Sequence, residues 1–156
     1  MNGAKHMTRS AARELAVHLI YAVQCTGEDA ETVLRDRFEE TYYALLSEEN
    51  EIYAERPGKK QLDYIRSAVL GVCEKLEELE GYLAQYSIGW NVSRISRLAR
   101  AVMELAMYEA LYLEDVPMNV AINEAVKLAQ KYEEPETVAF VNGILGAFSR
   151  DRRPEA

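Results

Sequence analysis

Apolar residues recur at intervals of three and four along most of the chain, and this spacing restricts the fold more than any other feature. Its longest run is an apolar seam of eight residues: Leu62, Ile65, Val69, Val72, Leu76, Leu79, Leu83 and Tyr86. Such spacing places side chains on one face of an α-helix. No segment of useful length alternates with the period of two that is typical of a half-buried strand. The sequence therefore predicts an all-α protein.

Breaks in the spacing divide the chain into about six to seven helices, which we expect to form a compact bundle. Residues 9–25 form the first helix, with Thr8 as its N-cap and Gly27 as its stop. Residues 30–46 form the second. The polar segment 47–60 contains a Pro-Gly turn signal and is expected to be the longest loop.

The second half of the chain is predicted to be helical as well. A helix that begins after a cap at Asn91 or Ser93 and ends near Leu113 is apolar on most sides, so we expect it to be central and buried. Pro117 and Pro135 are each well placed to begin a helix.

The seam over residues 62–86 predicts one continuous helix and permits two interpretations. It can be the long core helix of a bundle, or the contact face of a homodimeric coiled coil. Nothing in the sequence selects the coiled coil, so the free protein is expected to be a monomer or a homodimer.

Size and composition favour a single helical domain spanning residues 1–156, with residues 1–7 disordered. The net charge is −8, and the segment 27–56 alone has a net charge of −7, so a basic surface elsewhere remains compatible with the composition. Cys25 and Cys73 lack metal-ligand or redox spacing. No signal segment or membrane span is evident, and we expect a cytoplasmic protein without a metal or cofactor.

Catalytic motifs are absent from the sequence, and the arginines are the more informative charged residues. Arg9 and Arg13 are four positions apart and so share a helix face. Arg94, Arg97 and Arg100 form a second stripe in sequence. Guanidinium groups bind phosphates and stack on bases. These residues therefore predict either an RNA-binding surface or salt bridges to the many glutamates, and the residues alone leave both open.

Four motifs in the C-terminal half resemble the signature of the NusB family. They are Tyr108-Glu109, Val116-Pro117, the run VAINEAV at residues 120–126, and the run FVNG at residues 140–143. The resemblance implies two small helical subdomains and no catalysis. It also implies binding to the boxA element of ribosomal RNA leader transcripts as single-stranded RNA, together with NusE, a small-subunit ribosomal protein, in an RNA polymerase antitermination complex.

The resemblance also suggests where the RNA binds. Family members carry an arginine-rich start of the first helix, which Arg9 and Arg13 match, and Lys5 and Arg100 are further RNA-binding candidates.

For the protein partner, the resemblance points to the C-terminal helices, where Glu109, Glu124 and Glu136 are candidates on exposed faces.

The start of the first helix departs from the family pattern, because Ser10 and Ala11 stand where many members carry further arginines. The alternative function is therefore an adaptor whose RNA binding is weakened or lost, with the seam used for self-association.

Overall fold

A computed structural model describes residues 7–90 and 94–152, and these ranges are helical without any strand. Eight α-helices and one short 3-10 helix account for them. In chain order they are α1 Arg9–Thr26, α2 Ala30–Arg37, α3 Glu40–Glu49, the 3-10 helix Glu51–Tyr53, α4 Lys59–Glu74, α5 Leu76–Tyr86, α6 Arg97–Tyr112, α7 Met118–Tyr132 and α8 Pro135–Asp151. The all-α prediction is confirmed, and the described helices exceed the expected six to seven.

The chain divides into two compact units, Met1–Cys73 and Glu74–Ala156. The first holds α1 to α3 and almost all of α4, and the second holds α5 to α8. Two small helical units are what the family resemblance implies. None of the described helices is both long and apolar enough to cross a membrane.

In the first unit, α1 begins and ends where the sequence predicts. The Thr8 hydroxyl accepts a hydrogen bond from the Ala11 amide over 3.0 Å. Gly27 adopts a left-handed conformation with φ of 74°, and its amide donates to the Val23 carbonyl over 2.9 Å. Met7 is buried, so the expectation of disorder is wrong at that position, and residues 1–6 lie outside the described part of the chain.

The prediction that residues 30–46 form a single helix is wrong, because α2 and α3 divide this segment. The break falls at Phe38 and Glu39, where the Glu39 carboxylate caps α3 by accepting from the amides of Thr41 and Tyr42. The hydrogen bond from the Tyr42 amide is the largest cause that holds the pKa of Glu39 below its usual value, and the bond from the Thr41 amide acts in the same direction. The expected loop at 47–60 is correspondingly shorter, since α3 continues to Glu49 and α4 begins at Lys59.

The apolar seam is also divided between two helices. Lys75, with φ of −98° and ψ of 13°, lies outside the α-helical region and separates α4 from α5. Apolar spacing reports which side chains are buried and does not require every intervening residue to be helical. The prediction of one continuous helix is therefore wrong, and the coiled-coil interpretation loses the unbroken seam on which it depended.

In the second unit, α6 is central and packs against α5, α7 and α8. It is buried along most of its length, as predicted. Its N-cap is Ser96, whose hydroxyl accepts from the Ala99 amide over 3.0 Å. The caps predicted at Asn91 and Ser93 lie outside the described residues. Helices α7 and α8 begin at Met118 and Pro135, which confirms the two proline signals.

Candidate nucleic-acid interface

The start of α1 combines the positive end of a helix dipole with a cation. Arg9 is the first residue of the helix, and the first turn contains no acidic side chain. The N-terminal amides of a helix point outward and its macrodipole is positive at this end, so the site favours anions.

Two residues of α4 hold the Arg9 side chain. The guanidinium carbon lies 4.2 Å from the centroid of the Tyr64 ring, which is a cation–π contact. Nε of Arg9 donates a hydrogen bond to Oε1 of Gln61 over 2.8 Å. Arg9 and Gln61 are half-buried, whereas Tyr64 is buried. The guanidinium is therefore contacted on one face and at one nitrogen, in a residue that is partly exposed to solvent.

Arg13 follows one turn later on the same helix and has a different environment. Only 7% of the residue is exposed, and it interacts with neighbouring groups. In this conformation Arg13 offers almost no surface to a ligand, although it lies on the same helix as Arg9, one turn later.

The other basic candidates lie outside α1 in the sequence. Lys5 lies outside the described residues. Arg100 belongs to the second unit, where it is half-buried and lines a cavity of about 450 Å³ with Met103, Glu104 and Ile144. Arg94 precedes α6 because that helix begins only after Ser96, so the predicted helical stripe loses its first member.

The three acidic candidates differ sharply in exposure. Glu109 is 1% exposed, so the expectation that it lies on an exposed face is wrong, since α6 is covered on most sides. The Glu124 side chain is 13% exposed and lies 3.3 Å from Lys127 Nζ. Glu136 is exposed in the first turn of α8, where a negative charge is favourable.

Glu136 lies beside an aromatic pair. Trp90 and Phe140 make an edge-to-face contact with ring centroids 4.8 Å apart. Both rings line a cavity of about 290 Å³ together with Arg94 and Glu136. Trp90 is 41% exposed, so this edge of the second unit combines an accessible ring with charges of both signs.

The sequence did not identify Gln61 and Tyr64 as residues that contact Arg9. Their three-residue spacing shows that they share a helix face. It cannot show that this face meets a side chain more than fifty residues earlier. Within the described ranges, no group of three or more histidine, cysteine or acidic side chains could hold a metal ion.

A model of the NusB family matches residues 10–150. The chain is 38% identical over 140 residues to the transcription antitermination protein NusB of Acetivibrio thermocellus, and the match covers 90% of this chain and 87% of that protein. The family match thus covers nearly the whole chain, from the second residue of α1 through the four C-terminal motifs.

Solved structures agree with this relationship. NusB of T. maritima is similar with a TM-score of 0.76 at 27% identity, covering 96% of each chain. NusB in a crystal structure of the antitermination factors NusB and NusE with double-stranded RNA gives a TM-score of 0.71 at 20% identity, covering 92% of this chain and 96% of that one. On the family match and the relative from A. thermocellus together, this chain belongs to the NusB family.

Proposed function

We propose that this protein is a transcription antitermination factor that binds boxA-type RNA of ribosomal RNA leader transcripts together with NusE, within an RNA polymerase antitermination complex. The observation that carries the proposal is the family match over nearly the whole chain. The protein acts by binding and without catalysis, in the cytoplasm, where transcript and polymerase meet.

The related structures support the choice of partners. A protein of the same fold has been crystallised with NusE and RNA. In the present chain, Arg9 is a partly exposed residue at a helix N-terminus, and its guanidinium has the chemistry needed to bind a phosphate. Lys5, Arg13 and Arg100 are further candidates, although the buried Arg13 requires its neighbours to move before it can reach RNA.

The proposed partner-binding residues are glutamates, and their charge suits a basic partner. Glu136 is the exposed member of the proposed partner-binding set, and Glu124 is the next most accessible. Glu109 contributes only indirectly, because its carboxylate is buried in α6. Acidic groups facing a basic ribosomal protein raise the association rate and the specificity of the pair.

Fluorescence anisotropy tests the proposal directly. The full chain is titrated into a boxA-containing RNA and a scrambled RNA of the same length, with and without NusE, at two salt concentrations. We expect tighter binding to the boxA RNA, further strengthened by NusE. Arg9→Ala should weaken binding and lower the log–log salt slope by about 0.7, the contribution of one phosphate on a single strand.

Arg35→Ala is the matched control for Arg9→Ala. Arg35 lies on α2 with its side chain 75% exposed, so its loss changes the net charge equally without touching α1. Equal effects of the two substitutions would indicate that only net charge matters. Equal affinity for the boxA and scrambled RNAs, with NusE present, would refute the proposed function.

The alternative is an adaptor of the same fold with weakened RNA binding. The burial of Arg13 favours it, because Arg9 then remains the accessible arginine of the first two turns of α1. Tight NusE binding without discrimination between the two RNAs would establish this alternative.

A further inference from the structure

We propose that Gln61 and Tyr64 are positioning residues, which hold the Arg9 guanidinium so that its two terminal nitrogens are ready to bind an RNA phosphate. The inference rests on the proposed RNA binding and adds two residues of α4 to the surface. We call Arg9, Gln61 and Tyr64 the arginine cradle.

The hydrogen bond to Gln61 determines which edge of the guanidinium stays available. A guanidinium can bind an anion in a bidentate manner through its Nε edge or through the edge formed by Nη1 and Nη2. In this protein Oε1 of Gln61 accepts a hydrogen bond from Nε of Arg9 over 2.8 Å. Within the described residues, Arg9 makes no other hydrogen bond. The edge with the two terminal nitrogens is therefore the one left for a phosphate.

The Tyr64 ring determines the plane of the same group. With its carbon 4.2 Å above the ring centroid, the guanidinium is restricted in the rotations that a free arginine would sample. Tyr64 is itself buried, so the ring is a rigid support. Fixing a long cationic side chain before binding lowers the entropy that the complex must lose.

The arginines of this chain differ in what holds them. Arg66 pairs with the carboxylate of Glu31, whereas Arg37 donates to the Tyr53 hydroxyl and Arg152 lies over the Tyr82 ring. Arg9 belongs to the second kind: among the described residues it is held by a neutral amide and an aromatic ring, so its positive charge is available to an anion. The N-terminal amides of α1 add to the same positive potential.

Salt dependence separates positioning from charge. Removing Arg9 removes a phosphate contact, so Arg9→Ala should weaken RNA binding and lower the salt slope. Tyr64→Leu and Gln61→Met leave the arginine charged but loosely held. We expect each to weaken binding about two- to fivefold, the strength of a surface cation–π contact or a single hydrogen bond, with the salt slope unchanged.

A double-mutant cycle excludes a merely structural effect. If Tyr64 acts through Arg9, Tyr64→Leu should have no further effect on RNA affinity in the Arg9→Ala protein. A general loss of structure would weaken both proteins equally. Tyr64→Phe keeps the ring and should restore wild-type affinity, and Ser67→Ala tests an exposed position on the same helix.

The titrations use the full chain with NusE, the boxA-containing RNA and the scrambled RNA, after thermal unfolding has shown that each variant is folded at the assay temperature. Wild-type affinity of both Tyr64→Leu and Gln61→Met, alongside a weakened Arg9→Ala, would overturn the positioning role and leave the proposed function standing. A parent protein that does not distinguish the two RNAs would instead overturn the proposed function.

Discussion

The Tyr86 hydroxyl donates a hydrogen bond to Oδ2 of Asp151 over 2.6 Å and joins the C-terminal end of α5 to that of α8. The Tyr86 ring also makes an edge contact with Phe148, with centroids 6.1 Å apart. This hydrogen bond to the Asp151 carboxylate is the largest cause that raises the pKa of Tyr86 above its ordinary value. The bond thus connects residues 65 positions apart within the second unit.

Tyr86→Phe should lower the free energy of unfolding by about 0.5–1 kcal/mol, because it removes this hydrogen bond and keeps the ring against Phe148. Urea unfolding monitored by circular dichroism measures the change. Tyr42→Phe is the control, since the Tyr42 ring is 43% exposed and its hydroxyl bonds to no described residue. A Tyr86→Phe protein as stable as the control would show that the bond makes no net contribution.

Gly27 and Gly58 provide a matched pair for testing the end of α1. An added Cβ would meet no atom within 4 Å at either position, but only Gly27 has a positive φ, of 74°. Gly27→Ala should therefore lower the free energy of unfolding by about 1–2 kcal/mol, the cost of a left-handed conformation for a residue with a Cβ. Gly58→Ala should leave stability unchanged or slightly raised. Equal effects in thermal unfolding would contradict this explanation.

Helix positions were predictable where a local signal marks them. The Thr8 cap, the Gly27 stop, and the proline signals before α7 and in α8 all act within one turn of the backbone. Burial of α6 was predictable because apolar residues occupy most of its faces. Local hydrogen bonding and burial therefore account for what the sequence predicts correctly.

The missed breaks have causes that apolar spacing does not report. The break between α2 and α3 depends on a glutamate side chain acting as a cap, although serine, threonine, aspartate and asparagine are the usual N-caps. The break at Lys75 has neither a glycine nor a proline, and the helix after it has no side-chain cap. Both breaks leave the apolar spacing on either side intact.

The positions of Arg9 and Arg13 on α1 were predictable, but their surroundings were not, for a similar reason. The four-residue spacing of Arg9 and Arg13 correctly places them on one helix, but it does not tell which of them neighbouring elements will cover. Burial of Arg13 and the contacts of Arg9 with Tyr64 depend on packing between distant segments. Glu109 was misassigned for the same reason, since its exposure depends on the helices that surround α6.

Tyr43 should make the stability of the protein depend on pH in the alkaline range. Burial is the first cause that raises its pKa from 10.0 to about 12, and its hydroxyl donates to the Glu55 carbonyl over 2.6 Å. Between these two pH values the unfolded chain loses a proton that the folded chain retains, so the free energy of unfolding falls as pH rises. Below about pH 10 the contribution is fully present.

Urea unfolding at pH steps from 9 to 12, compared with Tyr43→Phe, measures the dependence on Tyr43. The difference in stability between the two proteins should shift in favour of Tyr43→Phe as pH rises above about 10. Parallel stability curves over this range would show that Tyr43 titrates as it does in the unfolded chain.

Glu136 should contribute to binding of the basic partner through its charge. It is exposed in the first turn of α8 and lines the same cavity as Trp90. Because opposite charges across the rim of an interface mainly affect association, we expect Glu136→Lys to weaken NusE binding about fivefold, with most of the change in the on-rate. Surface plasmon resonance at low and high salt measures both rates.

Glu48→Lys is the control for Glu136→Lys, because it changes the net charge equally at an exposed position of the first unit. If both variants lose affinity to the same extent, only net charge attracts the partner. A selective loss in Glu136→Lys that disappears at high salt would place the partner's basic surface at the start of α8.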